Sequence, residues 1–176
     1  MGTIFVAGAY GVGKSTLCDI LSRGMNVPAY SAGDLISKVN GEKYGANKAV
    51  QDKDNNQDIL ACVVAEKLKQ EAKIILAGHF CIFDAHNRVD KLPSSVFEKL
   101  QIEKILLLEA DIERIIDNLN NRDGKQYTKE QITALLVEEH SVARKVANAI
   151  GCPLYIHKMN FNDSDAEQCS EMLRRE

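Results

Sequence analysis

Apolar residues in this chain fall in short unbroken runs, separated by longer stretches in which they recur at helical spacing. Thr3-Ile4-Phe5-Val6-Ala7, closing at Gly8, predicts a first strand over 3–8. Lys14 to about Arg23, stopped by Gly24, predicts a helix. A short second strand is expected at 28–31, followed by one or two helical turns from Gly33 to about Val39. Residues 40–55 are polar and glycine-punctuated and are expected to be mobile. Ile59, Leu60, Val63, Val64 and Leu68 set a helix over 56–71. Lys73–Gly78 is a third strand, apolar enough to be buried on both faces of a parallel sheet. Residues 80–92 (FCIFDAHNRVDKL) read as an unusually apolar loop. Ile102–Glu109 is a fourth strand, with a helix behind it to about Asn121. Thr128-Lys-Glu-Gln131 reads as a capping box opening a long helix to Ile150, ended by Gly151-Cys-Pro153. A fifth strand spans 153–158, and Ser164-Asp-Ala-Glu167 reads as a second capping box before the last helix. Strands alternating with helices predict one doubly wound α/β domain over 1–176, with no repeat and no dividing linker.

Composition narrows the class. With 45% hydrophobic and 27% charged residues, the 176-residue chain can bury one ordinary globular core. No apolar run approaches membrane-spanning length, and the first residues lack a basic start and cleavage site. Met1-Gly2 hints at myristoylation, but Val6 stands where that motif has Ser or Thr, so a buried strand is the expected role of this end. The five cysteines are scattered and form no C-x-x-C pair. They read as free thiols of a reducing compartment, which makes a cytoplasmic location the expectation. A net charge of −3 gives no general attraction to nucleic acid or anionic membrane. Any bound anion must be held by a local cluster of cations.

Such a cluster opens at Gly8. Gly8-Ala9-Tyr10-Gly11-Val12-Gly13-Lys14-Ser15-Thr16 contains the full phosphate-loop pattern, placed between a strand and an amphipathic helix. Its glycines let successive backbone N–H groups turn inward toward phosphate oxygens. The start of the following helix adds its positive dipole end. Lys14 is expected to place a point charge on the β- and γ-phosphates of ATP, and Ser15 to offer a hydroxyl to Mg²⁺. The position of the loop on the first strand of a short chain leaves small kinases and small GTPases. The nearest string to a guanine motif, Asn47-Lys48-Ala49-Val50, lacks its Asp, which argues against a GTPase.

Three stretches in order carry a family likeness: the phosphate loop, Tyr30-Ser-Ala-Gly-Asp-Leu-Ile36, and "LLLEADIERIIDNLNNRD" followed by "VEEHSVARKVANAIG". They resemble the P-loop nucleoside monophosphate kinases, nearest to the archaeal-type adenylate kinases. The resemblance implies a three-layer fold with a five-stranded parallel sheet in the order 2-3-1-4-5, an acceptor-binding arm at about 33–72 and a short lid at about 120–128. The chemistry it implies is transfer of the ATP γ-phosphate to a nucleoside monophosphate. It also implies that Asp34 holds Mg²⁺ through water and helps place the acceptor. An Asp just past a strand end fits that role in an open α/β sheet, and fits equally a helix-start acid favoured by the dipole.

Phosphoryl transfer gathers negative oxygens, so guanidinium groups are the next candidates. Of seven arginines, Arg122 sits in the polar turn Asn121-Arg-Asp-Gly-Lys125 and is the best candidate to touch the moving phosphate or the adenine. Arg144, one turn past His140, reads either as a reach toward the γ-phosphate or as an exposed helix arginine. His79, beside Gly78 at a strand end, is a candidate to hydrogen-bond the acceptor, or a structural histidine. Phe80 and Phe83 are offered as one wall of an acceptor pocket, with Arg88 and Lys38 near its phosphate; core packing is the competing reading for the two rings. The third strand ends without the acid many relatives carry there, and the lid is thin in arginine. An ATP-binding assembly factor or regulatory switch, or a kinase acting on a nucleoside or a nucleic-acid end, is therefore the alternative. The expected partners are a small-molecule acceptor and, for the switch reading, a protein.

Overall fold

The computed structural model describes residues 2–40, 53–123 and 126–175. Of the stretch over 40–55 expected to be mobile, residues 41–52 lie outside the described residues, as do residues 124 and 125 of the proposed lid; residue 40 ends one helix and residues 53–55 begin another.

Five strands form one parallel sheet: β1 (Gly2–Gly8), β2 (Ala29–Ser31), β3 (Lys73–Ala77), β6 (Ile102–Glu109) and β7 (Leu154–Lys158). Their order is β2-β3-β1-β6-β7, which is the expected order once the two small strands outside this sheet, β4 (Cys81–Phe83) and β5 (Val89–Lys91), are left out of the numbering. β1 is buried along its whole length between β3 and β6, as an unbroken apolar run requires. Helices α1 (Lys14–Met25) and α7 (Ser164–Arg174) pack together on the sheet. α6 (Lys129–Ile150) packs on β1, β6 and β7 and completes the three layers, with α5 (Ile112–Asp123) against it. α2 (Ala32–Asn40) and α3 (Lys53–Gln70) pack on each other beside β2 and β3. Among the described residues no helix is long and apolar enough to cross a membrane.

The predicted loop over 80–92 is instead an antiparallel hairpin of β4 (Cys81–Phe83) and β5 (Val89–Lys91), followed by a short helix, α4 (Ser94–Glu98). Its turn is made by Asp84, whose carboxylate accepts the N–H groups of His86 at 2.8 Å and Arg88 at 2.9 Å, and by Asn87 in a left-handed conformation. Phe5 meets Phe80 and Phe97 edge to face, with ring centroids 5.2 and 5.6 Å apart, and Phe80 and Phe97 lie tilted to each other at 4.8 Å.

The first capping box forms as expected: Thr128 accepts from the Gln131 N–H, and Gln131 accepts from the Thr128 N–H. The second does not. The Ser164 hydroxyl donates to Asn162 Oδ1 at 2.7 Å, and the residue ahead of α7 is Asp163, with no side-chain cap. The acid that organises this end is Asp165, described below.

Candidate active site

Gly8 to Thr16 wrap the C-terminal end of β1 into the start of α1. Gly13 takes a left-handed φ of +96° as the N-cap of α1, a conformation a side chain would strain. Lys14 folds back over the loop and donates to the carbonyl oxygens of Gly8 at 2.7 Å and Ala9 at 2.8 Å. Its ammonium is thereby held across the mouth of the loop. Asn118 on α5 clamps the far side, donating to the Gly11 carbonyl at 2.8 Å. Ala9 and Val12 are buried and anchor the loop from below.

A cavity of about 790 Å³ opens from this loop. Lys14, Ser15 and Thr16 line it, together with Asp34 and His79. Asp34 stands in the first turn of α2, and its N–H faces Ser31 Oγ at 3.4 Å. His79 follows β3; Gly78 before it leaves no room for a Cβ, which would lie 2.7 Å from the Phe5 ring. The His79 ring lies over the phosphate-loop residue Tyr10, centroids 4.3 Å apart, and Tyr10 also stacks on Phe83 at 5.8 Å. Arg122 lines the cavity from the end of α5.

Two buried acids hold the walls. Glu139 on α6 is 1% exposed and accepts the N–H groups of Phe80 at 3.1 Å and Cys81 at 3.1 Å. Its Oε1 also lies 3.5 Å from His79 Nδ1. The turn after β3 thus has its buried donors satisfied by a helix sixty residues later in the chain. Burial first, and then the neighbouring Glu139 and Glu138, pushes the Cys81 thiol up to about 12, so it stays protonated at neutral pH.

Asp165 organises the loop between β7 and α7. It accepts from Asn160 N at 3.0 Å and Asn162 N at 3.1 Å, and pairs with His157 Nε2 at 2.7 Å. Burial raises its carboxyl, but the Asn160 N–H, His157 and the Asn162 N–H outweigh that, and the group sits below the usual carboxylate range. The loop so fixed sets Met159 and Phe161 against the phosphate loop; a Cβ at Gly13 would be 3.4 Å from both. The Arg114 guanidinium lies 5.0 Å from the Phe161 ring centre.

A family model described as an AAA domain matches residues 7–135. The chain belongs to that family. Shikimate kinase from Aquifex aeolicus superposes with a TM-score of 0.64 at 14% identity, covering 97% of this chain and 95% of that one. Shikimate kinase from Acinetobacter baumannii, in complex with shikimate, gives 0.62 at 16% identity, covering 98% and 90%. A gluconokinase from Sinorhizobium meliloti gives 0.54 at 12% identity, covering 98% and 95%. The fold of this AAA-domain chain is therefore that of the P-loop phosphotransferases.

In this chain several expected site residues lie away from the cavity. Phe80 is fully buried between Phe5 and Phe97, and Phe83 is packed between Tyr10 and Tyr127, so both rings belong to the core and neither lines the cavity. Arg88 turns back on its own hairpin and pairs with Asp84 at 2.9 Å, three-quarters exposed. Lys38 is exposed on α2 and does not line the cavity. Arg144 is exposed and donates to His140 Nε2 at 2.7 Å; that fixes the His140 proton on Nδ1, which faces Glu109 Oε1 at 2.5 Å. Lys14, Ser15, Thr16, Asp34, His79 and Arg122 are brought together. Sequence reading missed Asn118, Glu139, Asp165 and the loop at Met159–Asp163. Glu139 had a signal: it falls on the same stripe of α6 as Ile132, Leu135, Val142 and Val146.

Proposed function

We propose that the protein transfers the γ-phosphoryl group of Mg-ATP to a small acceptor, a nucleoside monophosphate. The observation that carries this reading is that one cavity is lined by Lys14 and Ser15 together with Asp34 and His79. Its volume suits a small-molecule site. In this reading the triphosphate lies in the phosphate loop, its charge met by inward N–H groups, the α1 dipole and Lys14. Arg122 approaches the γ-phosphate from the end of α5. The base of ATP lies against Phe161, in the loop fixed by Asp165. The chain reads as one kinase domain with an acceptor arm over about 33–72 and a lid over about 120–128.

Hard oxygen donors suit Mg²⁺, and the cavity offers the Ser15 hydroxyl and the Asp34 carboxylate. Ser15 would bind the ion directly and Asp34 through water. When bound, Mg²⁺ neutralises charge on the β- and γ-oxygens and so eases departure of ADP. The nucleoside monophosphate reading is supported by the resemblance of the Ser31-Ala-Gly-Asp34 segment and of the residues around Arg122 to the archaeal-type adenylate kinases. The acceptor's flat ring would lie against the apolar wall formed by Leu60, Leu92 and Phe97.

The regulatory-switch reading draws on Ala77, which stands where many relatives carry an acid, and on Arg88 and Arg144, which lie away from the cavity. One assay separates the two. ADP formation is measured with Mg-ATP and a panel of nucleoside monophosphates, with shikimate and gluconate as comparison acceptors. Phosphorylated monophosphate appearing one for one with ADP is the expected result. ADP formation that no acceptor raises above background contradicts the proposal.

A further inference from the structure

Glu139 does more than cap the turn after β3. Besides accepting the Phe80 and Cys81 N–H groups, its buried carboxylate stands 3.5 Å from His79 Nδ1. Nδ1 is itself buried, while the His79 side chain keeps 22% of its surface exposed. A flipped ring would set a carbon against the carboxylate. The inner edge of the imidazole therefore belongs to Glu139, and of the two ring nitrogens only Nε2 can meet a ligand. The ring lies on Tyr10 of the phosphate loop, centroids 4.3 Å apart, and lines the cavity. A carboxylate this close favours the imidazolium by about one to three pH units, and burial opposes it only in part for a ring that keeps some contact with solvent. The surrounding charges are otherwise committed. Glu138, next on α6, pairs with Lys91 of the hairpin at 2.8 Å, and the Cys81 thiol stays protonated. Lys14 and Asp34, of opposite sign, line the same cavity. Apart from His79, the cavity-lining cations among the described residues are Lys14 and Arg122.

We propose that Glu139 is a positioning residue that holds a proton on His79, so that the Nε2–H of the imidazolium donates to a phosphate oxygen bound beside the phosphate loop. The inference rests on the phosphotransferase reading only in expecting phosphate-bearing ligands in this cavity. The oxygen can belong to the tail of ATP or to the acceptor; the recognising chemistry is the same, a charged N–H meeting an oxyanion. An imidazolium makes that contact below its titration midpoint and gives it up as pH rises through the midpoint. Ligand binding thereby acquires a pH dependence that Lys14 and Arg122, charged throughout this range, do not confer.

The test has two parts. Ring resonances of the four histidines are followed by NMR across pH in the ligand-free protein, with His79 assigned by its absence from His79→Gln. In Glu139→Gln, which keeps an oxygen for the Phe80 and Cys81 N–H groups, the His79 midpoint is expected to fall by at least about one pH unit. Calorimetry then compares pH 6 with pH 8.5, using a non-hydrolysable Mg-ATP analogue and, with that analogue already bound, adenosine monophosphate. For one of these probes the wild type is expected to gain at least about tenfold more affinity on acidification than His79→Gln does. His79→Gln leaves the Glu139 contacts to the turn in place, so a difference there is not a damaged fold. A gain with the analogue assigns the contact to the ATP tail, and a gain with the monophosphate assigns it to the acceptor. An unmoved His79 midpoint in Glu139→Gln, parallel profiles in wild type and His79→Gln for both probes, or no heat with either probe would each overturn the proposal. Neither part needs turnover. Transfer with parallel profiles sinks this inference alone, and the expected profiles without transfer sink only the phosphotransferase reading.

Discussion

Gly8 has a φ of +145°, and a Cβ built on it would stand 2.5 Å from the Leu108 carbonyl oxygen of the neighbouring strand. The contact is with backbone, so no side chain can swing aside. Gly8→Ala is expected to lose more than about 1 kcal/mol of stability, read as a lowered urea midpoint with an unchanged slope. A midpoint within error of wild type would show that the strand-to-loop turn is less tightly packed than described. Glu139 makes the opposite case, a charged residue type in the core. Its removal leaves the Phe80 and Cys81 N–H groups buried and unsatisfied. Glu139→Ala is therefore expected to cost at least about 2 kcal/mol, and to shift the environment of His79, measurable as a moved imidazole resonance. Gln at this position keeps one acceptor oxygen and is expected to recover part of the loss. Stability equal to wild type in the alanine variant would mean that water satisfies those groups.

At the level of elements, the long periodic segments were legible from spacing alone. β1, β6 and α6 are built from runs whose burial follows directly from their pattern. The hairpin was not legible, because two three-residue strands and a five-residue helix are too short to show a period. Its turn was written in Asp84 and Asn87, but the aromatic residues on either side suggested a pocket wall. They pack inward because Phe80 and Phe83 meet Phe5 and Tyr10, partners contributed by the first strand and its loop. The same blindness to long-range partners hid the loop at Met159–Asp163, which is shaped by an acid read as part of a capping box. That acid gives the loop a pH dependence. The folded Asp165 carboxyl titrates below its ordinary value, so its stabilisation is complete above that ordinary value, about 3.9. It is lost as pH falls through the lower, folded-state value. Between pH 6 and pH 3 the wild type is expected to lose more stability than Asp165→Asn. Parallel pH profiles for the two proteins would remove Asp165 from the account.

For the molecule as a whole, the ends of β1, β2 and β3 deliver the phosphate loop, Asp34 and His79 to one crevice, where an open α/β sheet characteristically binds its ligand. The phosphate loop itself was readable, because its shape depends on a backbone that glycines encode locally, whereas Asn118 and the loop at Met159–Asp163, which pack against it from afar, were not. The half proposed for the acceptor was not, because its walls come from α2, α3, α4 and the hairpin, and expected contributors such as Arg88 and Lys38 turn to solvent. Everything proposed for the second ligand presupposes the first. Titration of Mg-ATP into the wild-type protein and into Lys14→Ala, with circular dichroism confirming the fold of both, tests that dependence most directly. Saturable heat with the wild type, and binding weakened at least about a hundredfold in Lys14→Ala with an unchanged spectrum, is the predicted result. Equal binding by the two proteins, or no heat with either, would contradict the account.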